Sequence, residues 1–155
     1  MTQFLSLLQA ALVFGTVILF GAMGEILTEK SGNLNLGVPG IMYIGAISGL
    51  AGAFLYETNF ASPVPWVGVL IAFACGLLAS VLAGFIYSFL TISLRANQNV
   101  TGLTLTIFGA GVANFFGGAM NKMAGGVGQI SVAVTSGAFR TTFPFLSDVG
   151  VFSAL

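Results

Sequence analysis

Apolar residues run along this chain in long stretches, and the polar positions between them are few enough to act as punctuation. Residues 1–24, 31–56, 58–94 and 96–121 carry no charge. A helix needs ~20 mostly apolar residues to cross the hydrocarbon core of a bilayer, so each run can supply one crossing. The predicted spans are Phe4–Met23, Leu36–Tyr56, Pro65–Leu94 and Val100–Met120. Transmembrane barrel strands would be ~10 residues of alternating polarity. Nothing here alternates over such lengths, and residues 67–94 are predominantly apolar on all sides. The expected fold is all-α, a polytopic transmembrane helical bundle of about four spans.

The third span is long. At ~1.5 Å per residue it reaches ~45 Å against a hydrocarbon core of ~30 Å, so it must tilt, kink or protrude. Pro63 and Pro65 favour a helix start there, and Trp66 suits the membrane interface. After Met120 the pattern weakens. Gly125, Gly126 and Gly128 precede a β-branched stretch, Ile130–Thr135. Residues 121–148 read as an exposed loop or a re-entrant segment of a single transmembrane domain, 1–155. The chain turns apolar again at 149–155, as the start of another span or the end of an incomplete protein.

Composition turns the apolar runs into a statement about solvent. The chain has 155 residues, 57% hydrophobic and 5% charged, whereas soluble domains are about 25% charged. Eight charges (Glu25, Glu29, Lys30, Glu57, Arg95, Lys122, Arg140 and Asp148) cannot cover a water-facing surface. The solvent is therefore the lipid bilayer or other membrane helices, and the formal net charge of zero gives no sign of nucleic-acid binding. No positive charge precedes the first apolar run, which is also longer than the ~7–15 residues of a signal-peptide core. It reads as a retained span. The loops with Lys30 and Arg95 balance a C-terminal segment with Lys122 and Arg140, so the positive-inside rule is evenly split. The tight loops weigh slightly more and favour a cytoplasmic Lys30 and Arg95 with the N-terminus outside.

Catalytic chemistry finds little to work with. With no histidine and a single cysteine, Cys75, an intrachain disulfide, a Cys–His pair and an imidazole metal site are excluded by count. Gly125-Gly-Val-Gly128 lacks the Gly-Lys-Ser/Thr of a phosphate loop. No cofactor is expected, and no enzymatic activity.

Small residues recur at intervals of four: Gly45, Gly49 and Ala53; Ala72, Gly76, Ser80, Gly84 and Ser88; Gly102, Thr106, Ala110, Asn114 and Gly118. Such stripes let membrane helices approach closely. They predict tight packing in a polytopic bundle, or a packed core around a translocation path. Asn114 is either interhelical glue or a substrate contact. Glu25 closes span one, where a carboxylate is interfacial or faces an interior partner. The most unusual segment is residues 28–40. Gly32, Gly37, Pro39 and Gly40 cannot all sit in one continuous helix, and Asn33 and Asn35 add polar groups. It is either an ordinary turn or broken backbone lining a cavity.

Here a resemblance enters. Gly24-Glu-Ile-Leu-Thr-Glu-Lys-Ser-Gly-Asn-Leu-Asn-Leu-Gly-Val-Pro-Gly-Ile-Met-Tyr-Ile-Gly-Ala46 resembles the first signature of permeases of sugar and nucleoside ABC importers. These form part of the group that includes ribose and branched-chain amino-acid permeases. Leu94-Arg-Ala-Asn-Gln-Asn-Val-Thr-Gly-Leu-Thr-Leu-Thr-Ile-Phe-Gly109 is similar to a second family string. Pro39 stands where the family often has Glu, and Lys30 where it has Arg. The resemblance implies the N-terminal half of a permease, incomplete relative to the family, whose later half carries the helix that docks on the ATPase. It implies ABC ATPase subunits, a second permease subunit and an extracytoplasmic substrate-binding protein as partners, in a multi-pass protein of a prokaryotic plasma membrane. The implied solute is a nucleoside or simple sugar, with Asn33, Asn35, Asn114 and Glu25 as candidates for the path. A secondary transporter or channel subunit and a non-transporting scaffold are the competing readings.

Overall fold

A computed structural model describes residues 2–126 and 128–138 of the chain. Its elements are α1 (Thr2–Lys30), α2 (Val38–Asn59), α3 (Pro65–Ser88), a π-turn (Phe89–Ser93), α4 (Gln98–Met123) and the short α5 (Ala133–Gly137), with no strand among the described residues. Four helices, Ser6–Lys30, Val38–Asn59, Pro65–Ser93 and Gln98–Met123, are long and apolar enough to cross a membrane. The expected helical bundle is thus the observed one, with α1 and α4 longer than their predicted spans and the third helix slightly shorter. The largest extension is in α1, which carries Glu25 and Glu29 within the helix. The tail at 149–155, with Arg140 and Asp148, lies outside the described residues.

The helix ends follow local chemistry. Gly37 precedes α2 and Pro39 falls in its first turn, where a missing N–H leaves no hydrogen bond unmade. The proline that replaces the family's glutamate thus acts here as a helix starter. Val64 is extended, as the residue before a proline must tend to be, and Pro65 opens α3. The Tyr56 hydroxyl accepts from the Val64 N–H at 3.1 Å, bracing the connection. The long third span ends in the π-turn, where the Leu94 N–H reaches the Phe89 carbonyl at 3.1 Å. Arg95 then reverses the chain at φ 51°, a left-handed conformation that costs a residue with a Cβ ~1–2 kcal/mol. Asn97 caps α4, its Oδ1 accepting from the Val100 N–H at 3.2 Å.

Helix α2 lies between α3 and α4, while α1 touches α2 near one end only. The α2–α3 contact is a meeting of small residues. A Cβ on Gly49 would lie 3.0 Å from the Ala72 carbonyl oxygen, and one on Gly76 3.1 Å from that of Gly45. A Cβ on Gly45 would run into the Ser80 hydroxyl. On the other side, Gly40 and Gly109 bring α2 and α4 into backbone contact, with a Cβ on Gly109 only 2.6 Å from the Gly40 Cα. Interiors of this kind are held by dispersion and close approach rather than by large side chains. The fully packed set is accordingly small: Ala53, Ala83 and Tyr87 are 2–4% exposed.

The far end of the bundle is closed by the segment after α4. Gly125, Gly126 and Gly128 all have positive φ, and the Asn121 side chain accepts from the Gly128 N–H at 2.9 Å. The chain returns as α5, whose Thr135 N–H donates to Glu57 at 2.6 Å. Thr135 packs against Gly68, at the start of α3. The expected loop at 121–148 therefore contains, in its described part, the last residues of α4 and a short helix seated on α2 and α3.

Candidate functional site

The broken segment between α1 and α2 is the most heavily bonded connection among the described residues. The turn begins where Gly32 takes φ 82°, and the Asn33 N–H returns to the Thr28 carbonyl at 3.0 Å. From there every neighbouring long helix contributes a bond. Glu25 of α1 accepts from the Asn35 N–H at 3.1 Å and from the Thr28 hydroxyl at 3.2 Å. Tyr87 of α3 donates to the Leu34 carbonyl at 2.8 Å, with Asn33 Oδ1 further off at 3.4 Å. Gln98 of α4 accepts from the Leu34 N–H at 3.1 Å, and Thr106 of α4 donates to the Leu36 carbonyl at 2.7 Å. Broken backbone near a membrane core needs such partners, because each unpaired amide there costs several kcal/mol.

Close approach makes these bonds reachable. A Cβ on Gly102 would sit 2.8 Å from the Leu36 nitrogen, and one on Gly37 3.0 Å from a methyl of Leu105. Asn35 is 6% exposed. Its Oδ1 accepts from the Gly37 N–H at 2.9 Å, which fixes the amide orientation and leaves Nδ2 as a donor. Asn33 is half-buried and Glu25 half-buried.

Beside this clasp lies a groove of about 610 Å³, bounded by α1, α2 and α3. Its polar end is formed by Thr28, Asn35, Tyr87 and Ser88, and its apolar end by residues such as Val17, Phe20 and Met42. Ligand pockets are typically ~300–1,000 Å³, mostly apolar with a few placed polar groups.

The structure brings Glu25, Asn33, Asn35, Gly102 and Thr106 together, and Gly45, Gly49, Gly76 and Ser80 meet at the α2–α3 contact. It does not bring in Asn114 or Gly84. Asn114 is exposed and lies ~12 Å along α4 from Thr106, at ~1.5 Å per residue. Ala110 is half-buried on the way. Gly84 has nothing within 4 Å of its Cβ position and faces the groove instead of a helix. The expected packing role for Gly84 is therefore corrected. The reason is geometric. Positions four apart rotate ~40° per step at 3.6 residues per turn, so a stripe leaves its contact after two or three steps. The residues missed from sequence are Tyr87, Gln98 and the Gly40–Gly109 contact. Tyr87 had one signal, a polar tip inside an apolar run; Gln98 had none beyond its place in the second signature.

Comparisons with known proteins agree with the two signatures. The chain is 36% identical over 111 residues to TsgC13 of Haloferax volcanii, named as a glucose ABC transporter permease, covering 72% of this chain and 31% of that one. It is 29% identical over 150 residues to the guanosine ABC transporter permease NupQ of Bacillus subtilis, covering 96% and 44%. It is 28% identical over 140 residues to the nucleoside ABC transporter permease NupC of Lactococcus lactis, covering 90% and 41%. The chain thus spans less than half the length of these relatives. No solved structure matches it. The model of the family described as "Branched-chain amino acid transport system / permease component" matches residues 7–155, and the chain belongs to that family.

Proposed function

We propose that this chain is part of the transmembrane subunit of an ATP-driven importer, and that it forms part of the path of a nucleoside or simple sugar. One observation carries the reading. The segment that bears the first signature is also the one where the backbone breaks, is clasped by three helices, and presents the buried Asn35 beside a groove. The relatives named for glucose, guanosine and nucleosides support the solute class. ATP hydrolysis then falls to separate ABC ATPase subunits, since the chain has no phosphate loop. A second permease subunit and an extracytoplasmic substrate-binding protein complete the assembly in a prokaryotic plasma membrane. Glu25, Asn33 and Asn35 serve at the clasp, and Asn114 stands apart from it on α4.

Mechanically, the clasp fixes the start of α2 to α3 and α4, and α1 joins it chiefly through Glu25. Beyond Glu25, α1 meets α2 at Gly21 and Met42, and a shift at that short contact would give the two arrangements of one path that alternating access requires. The test is reconstitution of the complete permease in vesicles with its ATPase and binding protein. ATP-dependent uptake of guanosine or glucose is expected, absent when the ATPase is omitted. Uptake driven by an ion gradient without the ATPase would favour a secondary transporter instead.

A further inference from the structure

The groove beside the clasp has a chemical character that narrows its ligand. Asn35 is 6% exposed, its Oδ1 is committed to Gly37, and its Nδ2 has no hydrogen-bond partner among the described residues. The one side-chain polar atom there that is both fully occluded and unpaired is Thr135 Oγ1, at the other end of the bundle. The Asn35 amine therefore still reaches open space, and the space that Asn35 lines is this groove. An amine open to the groove can donate to a ligand acceptor, a neutral hydrogen bond worth ~0.5–1.5 kcal/mol. Ser88, with no side-chain bond among the described residues, lies on the same wall.

Charge sets the other limit. No Lys or Arg lines the groove, and the nearest fixed charge at its polar end is the Glu25 carboxylate, bonded to the Asn35 N–H at 3.1 Å. The positive pole of α2 does not supply a substitute. The Gly37 N–H is taken by Asn35 Oδ1, and Pro39 has no N–H. A carboxylate or phosphate in the groove would be desolvated beside Glu25 with no cation to meet it. The glycines Gly21, Gly24 and Gly84 keep the walls low, and Phe20 and Met42 offer apolar surface to the face of a ring.

We infer that this groove is the solute contact of the chain, that Asn35 Nδ2 donates to a hydroxyl or carbonyl of the solute, and that the groove admits uncharged polar rings and rejects anions. This rests on the importer reading and adds to it a site and a selection rule: nucleosides and simple sugars pass, while nucleotides and free amino-acid carboxylates do not. Two variants isolate the claim. Asn35→Ser keeps an oxygen able to accept from the Gly37 N–H and removes the amine. Gly84→Leu sends a side chain into the groove from a position whose Cβ meets nothing within 4 Å.

In vesicles holding the complete importer, Asn35→Ser should raise the half-saturation concentration for guanosine or glucose roughly three- to ten-fold, the equivalent of one neutral hydrogen bond. Gly84→Leu should lower the uptake rate at least ten-fold at unchanged protein level. Guanosine monophosphate and leucine should compete at least ten-fold more weakly than guanosine. Wild-type parameters in both variants, or equal competition by leucine, would overturn the inference. A second arm needs no transport. Ser88→Cys in a Cys75→Ala background is labelled with a methanethiosulfonate reagent, with and without guanosine or glucose. Protection by the neutral solute but not by the monophosphate supports the groove even where uptake fails, in which case the importer reading alone is at fault. Labelling indifferent to both solutes refutes the groove even where uptake succeeds.

Discussion

Replacing Gly109 by alanine should separate α2 from α4, and Gly111, two residues further along the same helix, supplies its control. A Cβ at 109 would lie 2.6 Å from the Gly40 Cα and 2.7 Å from its carbonyl carbon. Carbon atoms in good contact sit ~3.5–4.0 Å apart. The obstacle is backbone, which cannot swing aside as a side chain would, so the helices must open by ~1 Å. That movement stretches the Thr106–Leu36 bond, now 2.7 Å, to the edge of hydrogen-bonding range. Overpacking of this kind costs ~1–3 kcal/mol, and a weakened interhelical bond in a membrane adds ~0.6 kcal/mol. A Cβ at 111 meets nothing within 4 Å. Gly111→Ala therefore keeps only the propensity gain of up to ~1 kcal/mol. Both variants gain that propensity equally, so their difference isolates the contact: Gly109→Ala should be less stable than Gly111→Ala by ~2–3 kcal/mol. Reversible unfolding of the purified protein in mixed detergent micelles measures it. Equal stabilities for the two variants would refute the backbone contact between α2 and α4.

Four further outcomes are expected. Tyr87→Phe removes the donor to the Leu34 carbonyl and should lower stability by ~0.5–1.5 kcal/mol in the same unfolding assay; an unchanged midpoint would mean the carbonyl finds another donor. Glu57→Ala strips α5 of the carboxylate that accepts from Val134 and Thr135, so hydrogen exchange at residues 128–138 should speed while α2 and α4 keep their protection; unaltered exchange there would show that α5 is held by packing alone. Gly84→Leu should leave the unfolding midpoint within ~0.5 kcal/mol of wild type, because its Cβ position is open; a larger loss would place Gly84 in a helix contact. Asn114→Leu should be equally mild in this chain, its amide being exposed and unbonded among the described residues; a drop above ~1 kcal/mol would reveal a partner.

The number and type of the long elements were legible in the sequence because membrane solvent leaves one economical solution. A neutral apolar run of twenty or more residues must satisfy its own backbone, and only a helix does so within a single segment. Pro65 marked a helix start for the same local reason, acting on the N–H groups of one turn, whereas the starting roles of Pro39 and Asn97 emerged only in the structure. The two signature strings carried the family, and residues 24–46 and 94–109 turned out to meet at one end of the bundle. What the tertiary structure decided is how those strings meet. The four-residue stripes named the right surfaces on α2 and the first part of α3. They could not say where a stripe turns away from its neighbour, so Gly84 and Asn114 fell outside the contacts expected of them, while Gly109, off the stripe, became the closest approach of α4 to α2. Crossing position and rotation of two helices depend on side chains from both, and no single helix's sequence contains them. The same holds for the polar groups. Glu25, Asn35 and Thr106 are each weakly informative along the chain, since an interfacial carboxylate, a loop amide and a helix threonine are all common. They become a clasp only when three helices deliver Glu25, Tyr87 and Thr106 to one unpaired stretch of backbone, because the need for partners is local while the partners lie up to 70 residues away.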